Sequence, residues 1–188
     1  SCIRLSPYKL GDGQLLLDVQ PIIPLPEATQ FQTQIGLKRQ AEQKAKVERH
    51  EVRQQFWIQF LNYAREHTDF FLTHSAPTSP YVSYRIGKGG YSFDIALRQH
   101  QNSIYLRISD DKEGFLQLLR QKEQIESEFG GPLEWINDAR HTGNRIGVTS
   151  DGGYRSESND WPEIQTSMLG SIIDLVGALL EKIQALPR

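Results

Sequence analysis

Two segments in the middle of the chain alternate strictly between apolar and polar residues. Tyr91, Phe93, Ile95 and Leu97 are interleaved with Ser92, Asp94, Ala96 and Arg98, and Ile104, Leu106 and Ile108 with Tyr105, Arg107 and Ser109. Successive side chains on a strand point to opposite faces, so each segment has one apolar and one polar face. Strands buried on both sides show continuous apolar runs instead, and this alternation predicts an antiparallel meander covered on one side only. A third strand is expected at 81–87. Gly87-Lys88-Gly89-Gly90 joins it to the strand at 90–98, and Gln99-His100-Gln101-Asn102 leads on to the strand at 103–109.

The cover must come from helices. Phe56, Trp57, Phe60, Leu61 and Ala64 recur at helical spacing, as do Phe115, Leu118, Leu119, Ile125 and Phe129 in a helix expected over 111–129 and ended by Gly130-Gly131-Pro132. Short strands are expected at 133–137 and 144–149. A last helix, 161–185, carries a wide apolar face from Ile164 to Ile183. Its Gly170 and Gly177 cost helix propensity, which suggests close approach of another element. The order is α-βββ-α-ββ-α, an α+β fold with a mostly antiparallel sheet covered by helices.

The first residues are of another kind. Segments 2–8 and 14–23 read as a β-hairpin around Gly11-Asp12-Gly13, stopped by Pro21, Pro24 and Pro26. Two strands alone are marginal, so this hairpin needs a packing surface: the main domain, a second chain or an upstream domain. Residues 28–54 form a charged helical linker, and 55–188 the α+β domain.

Charge and composition exclude several classes. The chain has 188 residues, net charge −2 and one cysteine, Cys2. A disulfide within the chain and a multi-cysteine metal site are therefore ruled out, and a reducing, cytoplasmic setting is expected. No run of 18 uninterrupted apolar residues occurs, so no membrane partner is expected. Basic residues concentrate on the linker helix and the sheet segments; 113–139 and 156–188 are acidic.

Asp94 with Asp110-Asp111-Lys112 is the sharpest catalytic suggestion. A metal-dependent nuclease of the PD-(D/E)XK type uses an acid on one strand and an acid and lysine, two apart, on the next. The acids hold Mg²⁺ and the lysine stabilises charge as the phosphodiester is attacked. The competing account is a D-x-x-E box in which Asp110 and Glu113 cap the following helix. Mid-strand Asp94 is expected opposite Ile108 or Arg107, away from Asp110. Gly87-Lys88-Gly89-Gly90 lies between strands, so a hairpin turn suits it better than a phosphate loop, with Lys88 at the tip. His50, His67, His74, His100 and His141 lack metal-ligand spacing. Trp57, Trp135 and Trp161 read as packing residues. The best binding constellation is arginine and tyrosine: Arg85, Arg98, Arg107, Arg140, Arg145 and Arg155 with Tyr81, Tyr84, Tyr91, Tyr105 and Tyr154. Arginine grips phosphate bidentately and tyrosine stacks on bases; a solvated sheet face is the plainer reading. Arg85, Lys88, Arg98, Arg107 and Arg145 are the expected nucleic-acid contacts, with DNA and RNA both open.

The ordered series Phe56-Trp57, Ile86-Gly87-Lys88-Gly89-Gly90, Asp110-Asp111-Lys112-Glu113, Lys122-Glu123-Gln124-Ile125-Glu126, Leu133-Glu134-Trp135 and Asp160-Trp161-Pro162-Glu163 resembles the bacterial and archaeal family catalogued as domain of unknown function 4268, over about 55–186. The resemblance implies a module found behind a PD-(D/E)XK nuclease-like domain, with the hairpin 1–27 as the tail of such a domain. Three functions follow as expectations: a non-catalytic accessory module of a bacterial defence or restriction protein with weak nucleic-acid contact; a Mg²⁺-dependent nuclease in its own right; or an interaction or oligomerisation domain, homodimeric through its last helix. The first reading needs no cofactor.

Overall fold

The structure, a computed structural model, describes residues 2–11, 13–21, 26–137 and 143–187, with side chains from 34 onward in the long first helix. Ile22, Ile23, Asp12, Arg140 and His141 lie outside the described residues. The chain divides into two units, 1–48 and 49–188. The fold is α+β, with two antiparallel sheets.

In the first unit, β1 (Ile3–Lys9) pairs antiparallel with β2 (Leu15–Pro21). The register places Leu5 opposite Val19 and Pro7 opposite Leu17, so one hairpin face gathers Ile3, Leu5, Leu15, Leu17 and Val19. All five of these side chains are exposed. Helix α1 (Pro26–His67) begins in this unit and ends in the second. Linker and first domain helix are thus one continuous element, starting ten residues before Gly36. Pro26 suits a first helical position, where its missing N–H costs nothing.

In the second unit, α1 is followed by β3 (Tyr81–Arg85), β4 (Tyr91–Leu97), β5 (Gln101–Ile108), α2 (Lys112–Leu119), α3 (Lys122–Phe129), β6 (Glu134–Ile136), β7 (Asn144–Asp151) and α4 (Trp161–Ala185). The sheet order is β3-β4-β5-β7-β6, antiparallel throughout. Val82, Phe93, Ile95, Leu97, Ile104, Leu106, Ile108 and Ile146 form its buried face. They join Phe56, Trp57, Phe60 and Leu61 of α1, Phe115 and Leu118 of α2, Ile125 of α3 and the apolar stripe of α4 in one core. Phe56 sits edge-on to Trp161, ring centres 5.2 Å apart, tying α1 to the start of α4.

Two helical expectations change. The helix expected over 111–129 is two helices. The N–H of Gln121 donates to Leu118 O at 2.9 Å, a tighter turn that breaks the helical ladder and lets α3 set out anew. Glu126 of α3 then accepts from the Leu133 N–H (2.9 Å) and from the Trp135 indole N–H (3.1 Å), fixing the approach to β6. Helix α4 has the expected bounds, but Gly170 and Gly177 face open space, with nothing within 4 Å of an added Cβ. The close approach expected there does not occur. The wide stripe of α4 is covered within the unit: Met168, Leu169, Ile172, Leu175, Val176, Leu179 and Ile183 are buried, and Ile173 is exposed. By length and composition α4 could cross a membrane, yet it is the helix that completes this core.

Candidate functional site

The face of the sheet opposite the core carries polar side chains. Residues directly paired across antiparallel strands share a face, so the register orders this surface into rows running across the strands. One row is Tyr81, Ala96, Ser103 and Thr149. The next is Ser83, Asp94, Tyr105, Gly147 and Glu134. The third is Arg85, Ser92, Arg107, Arg145 and Ile136. Gly147 is required by close packing: a Cβ there would lie 2.5 Å from Tyr105 Cα and would also meet Ile104 O.

The arginines of the third row set the electrostatics. Arg107 and Arg145 stand directly opposite each other on β5 and β7. Like charges in that relation repel. Asp94 relieves one of them: its carboxylate lies 2.9 Å from Arg107 Nε and accepts from Ser92 Oγ at 2.8 Å. Asp94 is 5% exposed, so this ion pair and hydrogen bond supply what burial of a charge requires. Arg145 lies over the Tyr105 ring, its guanidinium 5.4 Å from the ring centre. Its Nε is buried without a hydrogen-bond partner. Burial raises the Tyr105 pKa above the ordinary tyrosine value; the Asp94 charge adds to this and Arg145 opposes it.

Grooves of about 780 and 220 Å³ run along this face, and Tyr81, Tyr105 and Arg145 line both. The larger is also lined by Asp94, Arg107, Asp110, Asp111, Lys112 and Asn144. The Oδ1 of Asn144, a residue 2% exposed, is a second buried polar atom without a partner. A third groove of about 390 Å³ is lined by Arg85, Lys88 and Arg107.

At the mouth of the larger groove β5 turns into α2. Asp110 adopts φ of 58°, the single positive value among the described non-glycine residues. Aspartate tolerates this left-handed conformation better than most residues. The helix cap is Asp111, not Asp110: its Oδ1 accepts from the Gly114 N–H at 2.7 Å. Its Oδ2 accepts from Tyr91 Oη at 2.5 Å. The Tyr91 hydrogen bond, then the Gly114 N–H, hold the Asp111 carboxyl below the usual range. Burial, then the Asp111 hydrogen bond, raise the pKa of Tyr91. The expected Asp110/Glu113 box is therefore displaced by one residue, because the left-handed turn at Asp110 delays the helix start.

Asp94 pairs opposite Tyr105, not opposite Ile108 or Arg107 as expected. The β4–β5 turn is tighter than Gln99–Asn102, since β5 already starts at Gln101 and the Arg98 N–H donates to Gln101 O at 2.8 Å. Asp94, Asp110 and Lys112 nevertheless all line the larger groove. Asp94 is held by Arg107 and Ser92, and no group of three His, Cys, Asp or Glu among the described residues could hold a metal ion.

Of the expected nucleic-acid contacts, Arg85, Arg98, Arg107 and Arg145 all line grooves of this face. Lys88 does too, but its ammonium donates to Leu186 O (2.7 Å) and Pro187 O (3.3 Å), so it anchors the end of the chain. Gly87–Gly90 is the hairpin turn expected between β3 and β4. Tyr84, Tyr91 and Tyr154 belong to the core side, leaving Tyr81 and Tyr105 for the open face. The β5–β7 pairing sets Asn144 opposite the core residue Ile108, at the inner edge of the larger groove.

A family model described as Domain of unknown function (DUF4268) matches residues 52–182. The chain belongs to this family. The match begins within α1 and ends within α4, so it spans the five-stranded sheet, its helical cover and the open face. Neither the curated proteins nor the solved structures include a match.

Proposed function

We propose that the DUF4268 module is a non-catalytic accessory module of a bacterial nuclease-like protein of the defence or restriction type, and that its open sheet face makes weak contact with nucleic acid. The observation that carries the reading is the row Arg85–Arg107–Arg145. Only Arg107 in it is paired with a carboxylate among the described residues. Arginines on one face offer phosphate contacts. The nuclease setting and an upstream domain rest on the resemblance of the ordered motifs alone, and the cytoplasmic location on the single cysteine. Engagement of Asp94 by Arg107 and of Asp111 by Tyr91 and Gly114 favours binding over catalysis by Asp94, Asp110 and Lys112.

The test is a titration of labelled oligonucleotides at low and moderate salt, with Mg²⁺ added in a parallel cleavage assay. Binding should be weak, fall steeply with salt and drop in the double variant Arg107→Ala/Arg145→Ala, with no cleavage. Cleavage abolished by Asp110→Asn would replace this reading with the nuclease one. A second reading, an oligomerisation domain, is favoured by the five exposed apolar side chains of the β1–β2 hairpin. Light scattering of the full chain against a chain lacking 1–27 distinguishes it: a dimer that becomes a monomer supports a homodimer joined through the hairpin.

A further inference from the structure

Resting on that nucleic-acid reading, we propose that the open face selects single strands, with one phosphate held by Arg145 and Arg107 and the adjoining base stacked on Tyr81. Two independent observations meet here. The first is electrostatic. Arg145 stands opposite Arg107 with no carboxylate of its own among the described residues, and its Nε has no acceptor. Asp94 offsets the Arg107 side of this like-charged pair alone, and an anion would complete the Arg145 side. A phosphate between the two guanidinium groups supplies acceptors to both.

The second observation is the aromatic surface. Tyr81 is 50% exposed on β3, and the next residues along its row are Ala96 and Ser103, too small to fill the space beside it. A flat base can lie against the exposed ring. Tyr105 is different: its ring already lies under Arg145 and is held there, which fixes the guanidinium next to the groove. Tyr81, Tyr105 and Arg145 line both grooves and thus form the ridge between them. Only an unpaired base can reach such a ridge; in a duplex the bases are stacked on each other and the faces are unavailable.

The experiment uses the full chain and three labelled probes at low salt: an oligothymidylate, a mixed-sequence single strand and the duplex of that mixed strand. Both single strands should bind at least about tenfold more tightly than the duplex, since each stacked base contributes on that scale. Tyr81→Ala should weaken single-strand binding severalfold without altering duplex binding, and Tyr81→Phe should restore it. Arg145→Ala should lower single-strand affinity and reduce the salt slope by about one, while Arg145→Lys keeps the slope. Circular dichroism and melting of each variant confirm that Tyr81, half-exposed, is replaced without unfolding. Equal affinities for strand and duplex, or indifference to Tyr81→Ala, overturn this inference and leave the weaker phosphate-contact reading standing. Absence of binding to any probe overturns both.

Discussion

The two faces of the five-stranded sheet are built from the same strands, yet they obey different rules. On one face Leu106 is fully buried under helices, and on the other its neighbour Tyr105 lies beneath Arg145 at the edge of two grooves. Helical cover alone separates the two. Where α1, α2 and α4 lie against the sheet, volume and shape decide which side chain is allowed. Where none of the described helices covers it, charge pairing decides: Asp94 is buried on that face because Arg107 and Ser92 satisfy it. A face left open by the fold is free to carry function, since its residues are not needed to fill the core.

This contrast can be broken or sharpened by substitution. The largest effect is expected at Leu106→Ala, which opens a cavity under the helices and should cost about 2–5 kcal/mol, while Ser103→Ala on the opposite face of the same strand should stay within about 0.5 kcal/mol. Urea unfolding of both variants measures the difference, and equal costs would show that the open face is covered in solution.

Gly147→Ala probes an exception to the rule. Gly147 belongs to the open face, but a Cβ there would collide with the backbone of β5. A loss of about 1–3 kcal/mol is expected, the range of overpacking in a core. Tolerance of alanine would mean that the two strands separate at little cost.

The smallest effect is expected at Asp111, where the open face meets the helical cover. Asp111→Asn should remove about 1 kcal/mol of capping and hydrogen bonding at neutral pH. The folded chain holds this carboxyl below its unfolded value, so on acidification the unfolded chain takes up the proton first. Its contribution is therefore complete above about pH 4, near the unfolded value, and drains away as the pH falls through the lower folded value. The stability gap between the natural chain and Asp111→Asn should narrow over that interval in chemical unfolding at a series of pH values. A gap that widens with acid would contradict the assignment of the carboxylate as the stabilising form.

Most of the sheet could be read from the sequence because period-two alternation is a local property with a single geometric meaning. Phe93, Ile95, Leu106 and Ile108 announce their face, and α4 announces both its ends through Asp160-Trp161-Pro162 and the apolar stripe. Register was harder. The β4–β5 turn sets Asp94 opposite Tyr105 rather than Ile108 or Arg107, since a few residues of turn decide the pairing register. The break between α2 and α3 carries no Pro or Gly, so nothing at Arg120-Gln121 signals it; the tie from Glu126 to Leu133 and Trp135 is a tertiary contact. The cap at Asp111 was obscured by its twin at Asp110, since adjacent aspartates make equally good capping candidates until the backbone chooses. The groove was least accessible of all. Arg107 and Arg145 are 38 positions apart, and only the β5–β7 pairing makes them neighbours.

The order of elements along the chain has a consequence for synthesis. Helix α4 leaves the ribosome after every strand it covers, with 34 residues separating the end of β7 from the end of the helix. At about 5–20 residues per second, the finished apolar side of the sheet waits a few seconds for its last helix. During that interval Ile104, Leu106 and Ile146 lack part of their native shelter, and a nascent chain stalled before α4 presents chaperones and proteases with a sticky, half-roofed sheet.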